Sequence, residues 1–238
     1  MRRAAAALVV VTPLLTALLA GCGGSGGGRA TVFAAASLTD VFPRIDAKAR
    51  YSFAGSNELA AQIEQGATPD VYASANEKLM DELRAKGLVG QPSVFATNRL
   101  VIAVPPSNPA HVESAADLAR PGVKVVLAET GVPAGDYARQ ALDTLGIHVK
   151  PASEEPDVRS VLAKVALGEA DAGIVYATDA RTAKVKVVEL PKRAQVEARY
   201  TIAVGADAPH PEAAKRFVEA VEGADGRKAL QAAGFGVP

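Results

Sequence analysis

Four short phrases place small residues or hydroxyls where a strand hands over to a helix, and a fifth ends a strand in a phenol. "VFAAASL" carries Ser37, "FAGSNEL" carries Ser56, "VPAGDYA" carries Ala134, "EPDVRS" carries Val158 and "GIVYATDA" carries Tyr176. A helix N-terminus presents unpaired backbone N–H groups and a partial positive charge, which together suit an anion. Small residues let a ligand approach those groups closely. Ser37 and Ser56 each add a hydroxyl donor, and Tyr176 adds a phenol. The chemistry described is capture of an anion by neutral donors. Each phrase alone has a plainer reading. A serine at a helix start is ordinarily a cap contributing about 1 kcal/mol, Ala134 and Val158 have no functional side chain, and Tyr176 reads as a core or rim aromatic.

The elements that must position these residues alternate β-like and α-like. Strands are expected at 31–35, 51–54, 70–74, 98–104, 123–128, 172–176, 185–190 and 199–204. Helices are expected at 38–49, 57–66, 77–86, 113–119, 135–145, from Val158 onward, and at 211–222 and 225–233. Asn76 and Asp157 suit N-caps, and Gly87 and Gly146 suit helix stops. Regular alternation argues for mostly parallel sheets covered by helices. Open α/β sheets bind ligands beyond the C-terminal ends of their strands, where the five phrases fall. Strands 98–104 and 199–204 bracket a middle block large enough to fold alone. They read as crossovers between two lobes, residues 30–100 with 203–238 and residues 101–202.

Residues 1–21 combine Arg2 and Arg3, an apolar run and "LLAG", the pattern of a signal peptide. Leu19-Ala20-Gly21-Cys22 resembles a bacterial lipobox, making Cys22 the expected lipid attachment site. Residues 22–29 then form a glycine-rich tether. Cys22 is the single cysteine, so neither an intrachain disulfide nor a multi-cysteine metal site is possible. Cutting before Cys22 removes Arg2 and Arg3 and leaves 24 basic against 26 acidic side chains. That balance gives no reason to expect nucleic acid or an anionic membrane surface as partner. The absence of Trp, with five Tyr and six Phe, argues against sugar and nucleobase ligands, which call for flat aromatic platforms.

An enzyme is not expected. His111, His148 and His210 lie outside the five phrases, and no G-x-S-x-G elbow, P-loop lysine motif or paired histidine ligands occur. Asp70 and Asp179 read as capping or inter-lobe hydrogen-bonding acids. Arg159 reads as lying along its helix surface rather than as an anion clamp. A transcription-regulator sensor domain is disfavoured by the signal peptide and by the lack of a helix-turn-helix.

"VFAAASLTD", "FAGSNELAAQIEQGAT", "VPAGDYARQAL", "PDVRSVLAKVALGEADAGIVYATDA" and "AAGFG" follow one another from residue 31 to the C-terminus. In that order the chain resembles the molybdate-binding proteins of bacterial ABC transporters. The resemblance implies an α/β type II periplasmic-binding fold with two lobes, each a mostly parallel sheet flanked by helices, and ligand in the cleft. It implies molybdate, or tungstate, as ligand and a membrane permease subunit as partner. The protein would be a lipid-anchored, extracytoplasmic monomer without a cofactor, and molybdenum would be bound only as the oxyanion. It assigns hydroxyl and main-chain contacts to Ser37 and Ser56, amide contacts to Ala134 and Val158, and a phenol contact to Tyr176. Gly55 stands where some relatives carry a serine. Sulfate, another tetrahedral oxyanion or a small organic anion is the alternative ligand, because a fold alone does not choose among them.

Overall fold

In the computed structural model, residues 28–238 are described; the signal segment, Cys22 and most of the tether lie outside the described residues. Strand β1 (Thr31–Ala35) pairs in parallel with β2 (Arg50–Ala54) on one side and β3 (Val71–Ser74) on the other. Their register sets Ala35 opposite Ala54. The two chains therefore leave the sheet at the same level, and Ser37 and Ser56 each follow two residues later. A second parallel group repeats the device: β5 (Val125–Ala128) lies between β6 (Ser153–Glu155) and β7 (Ala172–Tyr176), with Ala128 opposite Glu155.

The two groups are joined by β4 (Ser93–Val104) and β9 (Glu197–Val204), which pair antiparallel with each other. β9 also pairs with β3, while the second half of β4 pairs with β7 and with β8 (Lys186–Glu189). The sheet order is β2-β1-β3-β9-β4-β7-β5-β6, with β8 also on β4. All four antiparallel pairings involve β4 or β9, and all four parallel ones lie outside them. Parallel order thus holds where strand feeds helix, and it reverses where the chain crosses between the groups.

Eight α-helices clothe the sheet among the described residues: α1 (Phe42–Ile45), α2 (Ser56–Glu64), α3 (Glu77–Ala85), α4 (Pro133–Leu145), α5 (Val158–Ala166), α6 (Ala177–Ala180), α7 (Pro211–Glu222) and α8 (Ala224–Ala233). Leu59 and Ile63 of α2 and Met80 and Leu83 of α3 pack on Tyr72 and Ala203 to form a core of their own. On the opposite side Phe217 of α7 meets Phe42 edge-on, with ring centroids 5.3 Å apart. Asn76 caps α3 as expected, accepting from the Leu79 N–H, and Gly87 and Gly146 stop their helices at φ 72° and 67°.

The continuous helix expected at 38–49 does not form. The chain makes a short 3-10 turn at Ala36–Leu38 and then the four-residue α1. Pro43 lacks an N–H and is tolerated only in a first turn, so it starts a helix here instead of continuing one. The helix expected at 113–119 is a 3-10 segment, Ala115–Ala119, closed by a capping box between Ser114 and Asp117.

Candidate functional site

Ser37, Ser56, Ala134, Val158 and Tyr176 all line one cleft, with Ala35, Ala36, Ala54 and Ala75 forming its floor. The space between atoms there is about 210 Å3 with open solvent included, and only about 10 Å3 of it admits a water-sized sphere. No lysine or arginine is among its lining residues. The alanines explain themselves here: any larger side chain at these positions would fill the space that the donors face. Where the two sheet groups approach across the cleft, a Cβ on Gly55 would lie 2.6 Å from the Pro156 carbonyl oxygen. Glycine is what permits the approach.

Neither serine is a helix cap. Ser37 sits inside the 3-10 turn, and its hydroxyl is 2.8 Å from the phenol oxygen of the buried Tyr200. Ser56 is the first residue of α2, after an N-cap position held by Gly55. Its Oγ accepts from the Ala75 N–H at 3.1 Å, which leaves its own proton to be donated. The Tyr72 phenol donates to the Ser56 carbonyl at 2.8 Å and holds that turn in place. Tyr200 was not singled out from sequence. It stands in an ordinary strand phrase, and its partner is 163 residues away.

The two amides are left over by their helices in different ways. In α4 the first residue is Pro133, without an N–H, and the N-cap Val132 has no side-chain acceptor. The Ala134 N–H is therefore the first donor of that uncapped, 13-residue helix. In α5 the Asp157 carboxylate accepts from the Arg159 and Ser160 N–H groups at 2.7 and 3.0 Å. That capping passes over the Val158 N–H, the first of the helix, which no intrahelical carbonyl can reach. Tyr176 completes the set. Its residue is 1% exposed, and its hydroxyl is buried without a hydrogen-bond partner. Burial holds this phenol well above its usual pKa, so it is a neutral O–H donor at any ordinary pH. A buried hydroxyl left unpaired costs roughly 1–3 kcal/mol, and Tyr176 carries that cost at the lining of this cleft.

Two acids take their places around this arrangement. Asp70, fully buried, accepts from the Thr31 and His210 N–H groups and ties β1 to the loop before α7. Asp179 is buried in α6, with Oδ1 3.3 Å from Nε of Arg159. Arg159 does not lie along its helix as read from sequence; it leaves α5 sideways and reaches Asp40 on the far side of the cleft. Burial raises the Asp179 carboxyl from 3.8 to about 7, with the Arg159 charge opposing the rise. A carboxyl whose folded pKa is raised binds more protons folded than unfolded, so its contribution to stability falls as pH rises from about 4 to 7. Asp179→Asn should therefore gain on the wild type as pH increases, the difference in melting temperature widening between pH 5 and pH 8. Parallel melting curves across that range would show that Asp179 does not titrate there.

A family described as bacterial extracellular solute-binding protein matches residues 30–236. The molybdate-binding protein ModA of Mycobacterium tuberculosis is 44% identical over 219 residues, covering 87% of this chain and 84% of that protein. The chain belongs to the ModA family of molybdate-binding proteins. Among solved structures, the periplasmic molybdate-binding protein of Azotobacter vinelandii superimposes with a TM-score of 0.77 at 22% identity, covering 88% of this chain and all of that one. The sulfate-binding protein SubI of M. tuberculosis has the same fold, with a TM-score of 0.73 at 19% identity over 87% of this chain and 86% of that one. A ModA-family chain is thus a two-sided α/β binding protein, not an enzyme. At that identity the SubI likeness shows the fold alone.

Proposed function

We propose that this protein is an extracytoplasmic binding protein that captures molybdate, and tungstate with it, for delivery to the membrane permease of an ABC importer. The observation that carries the reading is the Tyr176 hydroxyl, buried and unpaired at a cleft lined by two serines and by the first residues of two helices that bear an N–H. ModA-family membership supports molybdate as the anion. The anion itself is the cargo, so no resident cofactor is required. Ser37 and Ser56 act from one side through hydroxyl and main chain, and Ala134, Val158 and Tyr176 act from the other. The lobes are residues 30–100 with 203–238 and residues 101–202, hinged on β4 and β9. Among the described residues no helix is long and apolar enough to cross a membrane. Membrane attachment is assigned to a lipid on Cys22, reached through the glycine-rich tether. The protein acts as a monomer.

The donor set also selects. The five residues offer N–H and O–H groups. The Asp157 carboxylate that also lines the cleft is engaged by the Arg159 and Ser160 amides and the Ser160 hydroxyl, so the set suits an anion that carries no proton. Hydrogen phosphate brings an O–H of its own, and setting it against another donor costs roughly 1–3 kcal/mol. Sulfate carries no proton at neutral pH and is discriminated by size alone. Calorimetric titration of residues 28–238 with molybdate, tungstate, sulfate and phosphate tests the assignment. Molybdate and tungstate should bind similarly, sulfate more weakly and phosphate least. Tighter binding of sulfate, or of a small organic anion, would replace the ligand while leaving the binding class intact.

A further inference from the structure

The Arg159 side chain touches both sides of the cleft through several atoms at once. Its Nη2 pairs with Asp40, and its Nε lies 3.5 Å from the Ala36 carbonyl oxygen, both on the segment that follows β1. The same Nε is 3.3 Å from Asp179, and Nη1 donates to Thr182, both at or just beyond α6. Each partner sits beside a cleft residue: Ala36 adjoins Ser37, Asp179 follows Tyr176 by three positions, and Arg159 itself follows Val158. Yet Arg159 is not among the residues lining the cleft. Its charge is spent on the protein, not on the ligand.

We propose that Arg159 is a positioning residue, a latch that holds the two sides of the cleft together once an anion is seated and so sets the rate at which the anion leaves. The proposal rests on the anion-binding reading above. Its geometry needs a guanidinium. Three nitrogens in a rigid plane serve partners on two sides, whereas an ammonium is a single point of charge. The division of partners also makes the latch one-way. If the cleft opens, Arg159 keeps Asp179 and Thr182, which belong to its own side, and gives up Asp40 and the Ala36 carbonyl. The buried Asp179 carboxylate therefore keeps its counter-ion in either state, and the part that breaks is the one that costs least. The Asp40 side chain is 46% exposed, so its charge rehydrates on opening. An interaction present only when closed can shift the closed population by its differential free energy and by no more.

The test is Asp40→Asn, which removes the charge at an exposed position and leaves the Arg159–Asp179 pair in place. Molybdate dissociation should speed up by roughly twofold to fivefold, the scale expected of a partly exposed ion pair within a small network. Association should change by less than about twofold, because the anion-contacting donors are intact. Asp40→Glu should restore much of the slow release, and Arg159→Lys should not. Closure is read independently of the anion's identity through spin labels on Lys78→Cys and Gln140→Cys, at exposed positions of α3 and α4. Labels in the Asp40→Asn background should shift toward longer separations. An unchanged dissociation rate, or unchanged label separations when no anion is bound by any variant, would overturn the latch. If the wild type fails to bind molybdate while Asp40→Asn still lengthens the label separation, the latch stands and the ligand assignment falls.

Discussion

Gly135→Ala should cost about a hundredfold in anion affinity, near 2.7 kcal/mol, although residue 135 offers the ligand no side chain. Gly135 is the third residue of α4, pressed against the end of β5. A Cβ there would lie 2.2 Å from the Glu129 carbonyl oxygen and 2.4 Å from that of Ala128. Both obstacles are backbone, so no rotamer change relieves them. The start of α4 must move away from β5, and the Ala134 N–H moves with it. A hydrogen bond to a charged ligand contributes roughly 1.5–3 kcal/mol, and displacement of the whole helix end also weakens its dipole at the anion. Overpacking should lower stability as well, by about 1–3 kcal/mol. The control is Gly146→Ala, at the other end of the same helix. Gly146 has φ 67°, so alanine is strained there too, but the amide at the cleft stays in place. Titration calorimetry should find near-normal affinity in Gly146→Ala and a large loss in Gly135→Ala, with thermal melts reduced in both. Wild-type affinity in Gly135→Ala would mean that the N-terminus of α4 does not contact the anion.

What could be read before the structure, and what could not, divides along the range of the interactions. The caps at Asn76 and Asp157 and the glycine stops are local events, and the structure places them as expected. β6 escaped because "SEE" has neither apolar alternation nor β-branched residues; it is a strand only because β5 lies beside it. The first half of β4 escaped for a related reason, since its partner β9 begins about a hundred residues later and a bulge at Val94 and Ala96 interrupts the pattern. Pro43 was a local signal and should have stopped the helix drawn through it. The two serines show the limit most clearly. As a sequence, strand-Ser-helix is equally a cap or a ligand donor. The ambiguity ends only when Tyr200, from β9, and the Ala75 N–H, after β3, are found on the two hydroxyls. Arg159 belongs to the same class, with its cross-cleft partner 119 residues away.

Tyr176→Phe should weaken molybdate binding by roughly one to two powers of ten, at about 1.4 kcal/mol per power, while leaving the ligand-free protein at least as stable as the wild type. The two halves of this expectation come from the same atom. The Tyr176 hydroxyl is buried with no hydrogen-bond partner from the protein, a cost that phenylalanine removes. The ring keeps its packing, including the edge-on contact with Tyr200 at 5.8 Å between centroids. If the seated anion accepts from this hydroxyl, the bond is charge-assisted and its loss should be felt in the affinity. A merely structural tyrosine predicts the reverse: unchanged affinity with a lower melting temperature, or both falling together. Sulfate should remain the weaker ligand in the variant, because phenylalanine leaves the size of the cleft unaltered. Titration with both anions, beside melts with and without molybdate, separates these cases. Wild-type affinity for molybdate in Tyr176→Phe would remove the phenol from the site and, with it, the observation on which the ligand assignment most depends.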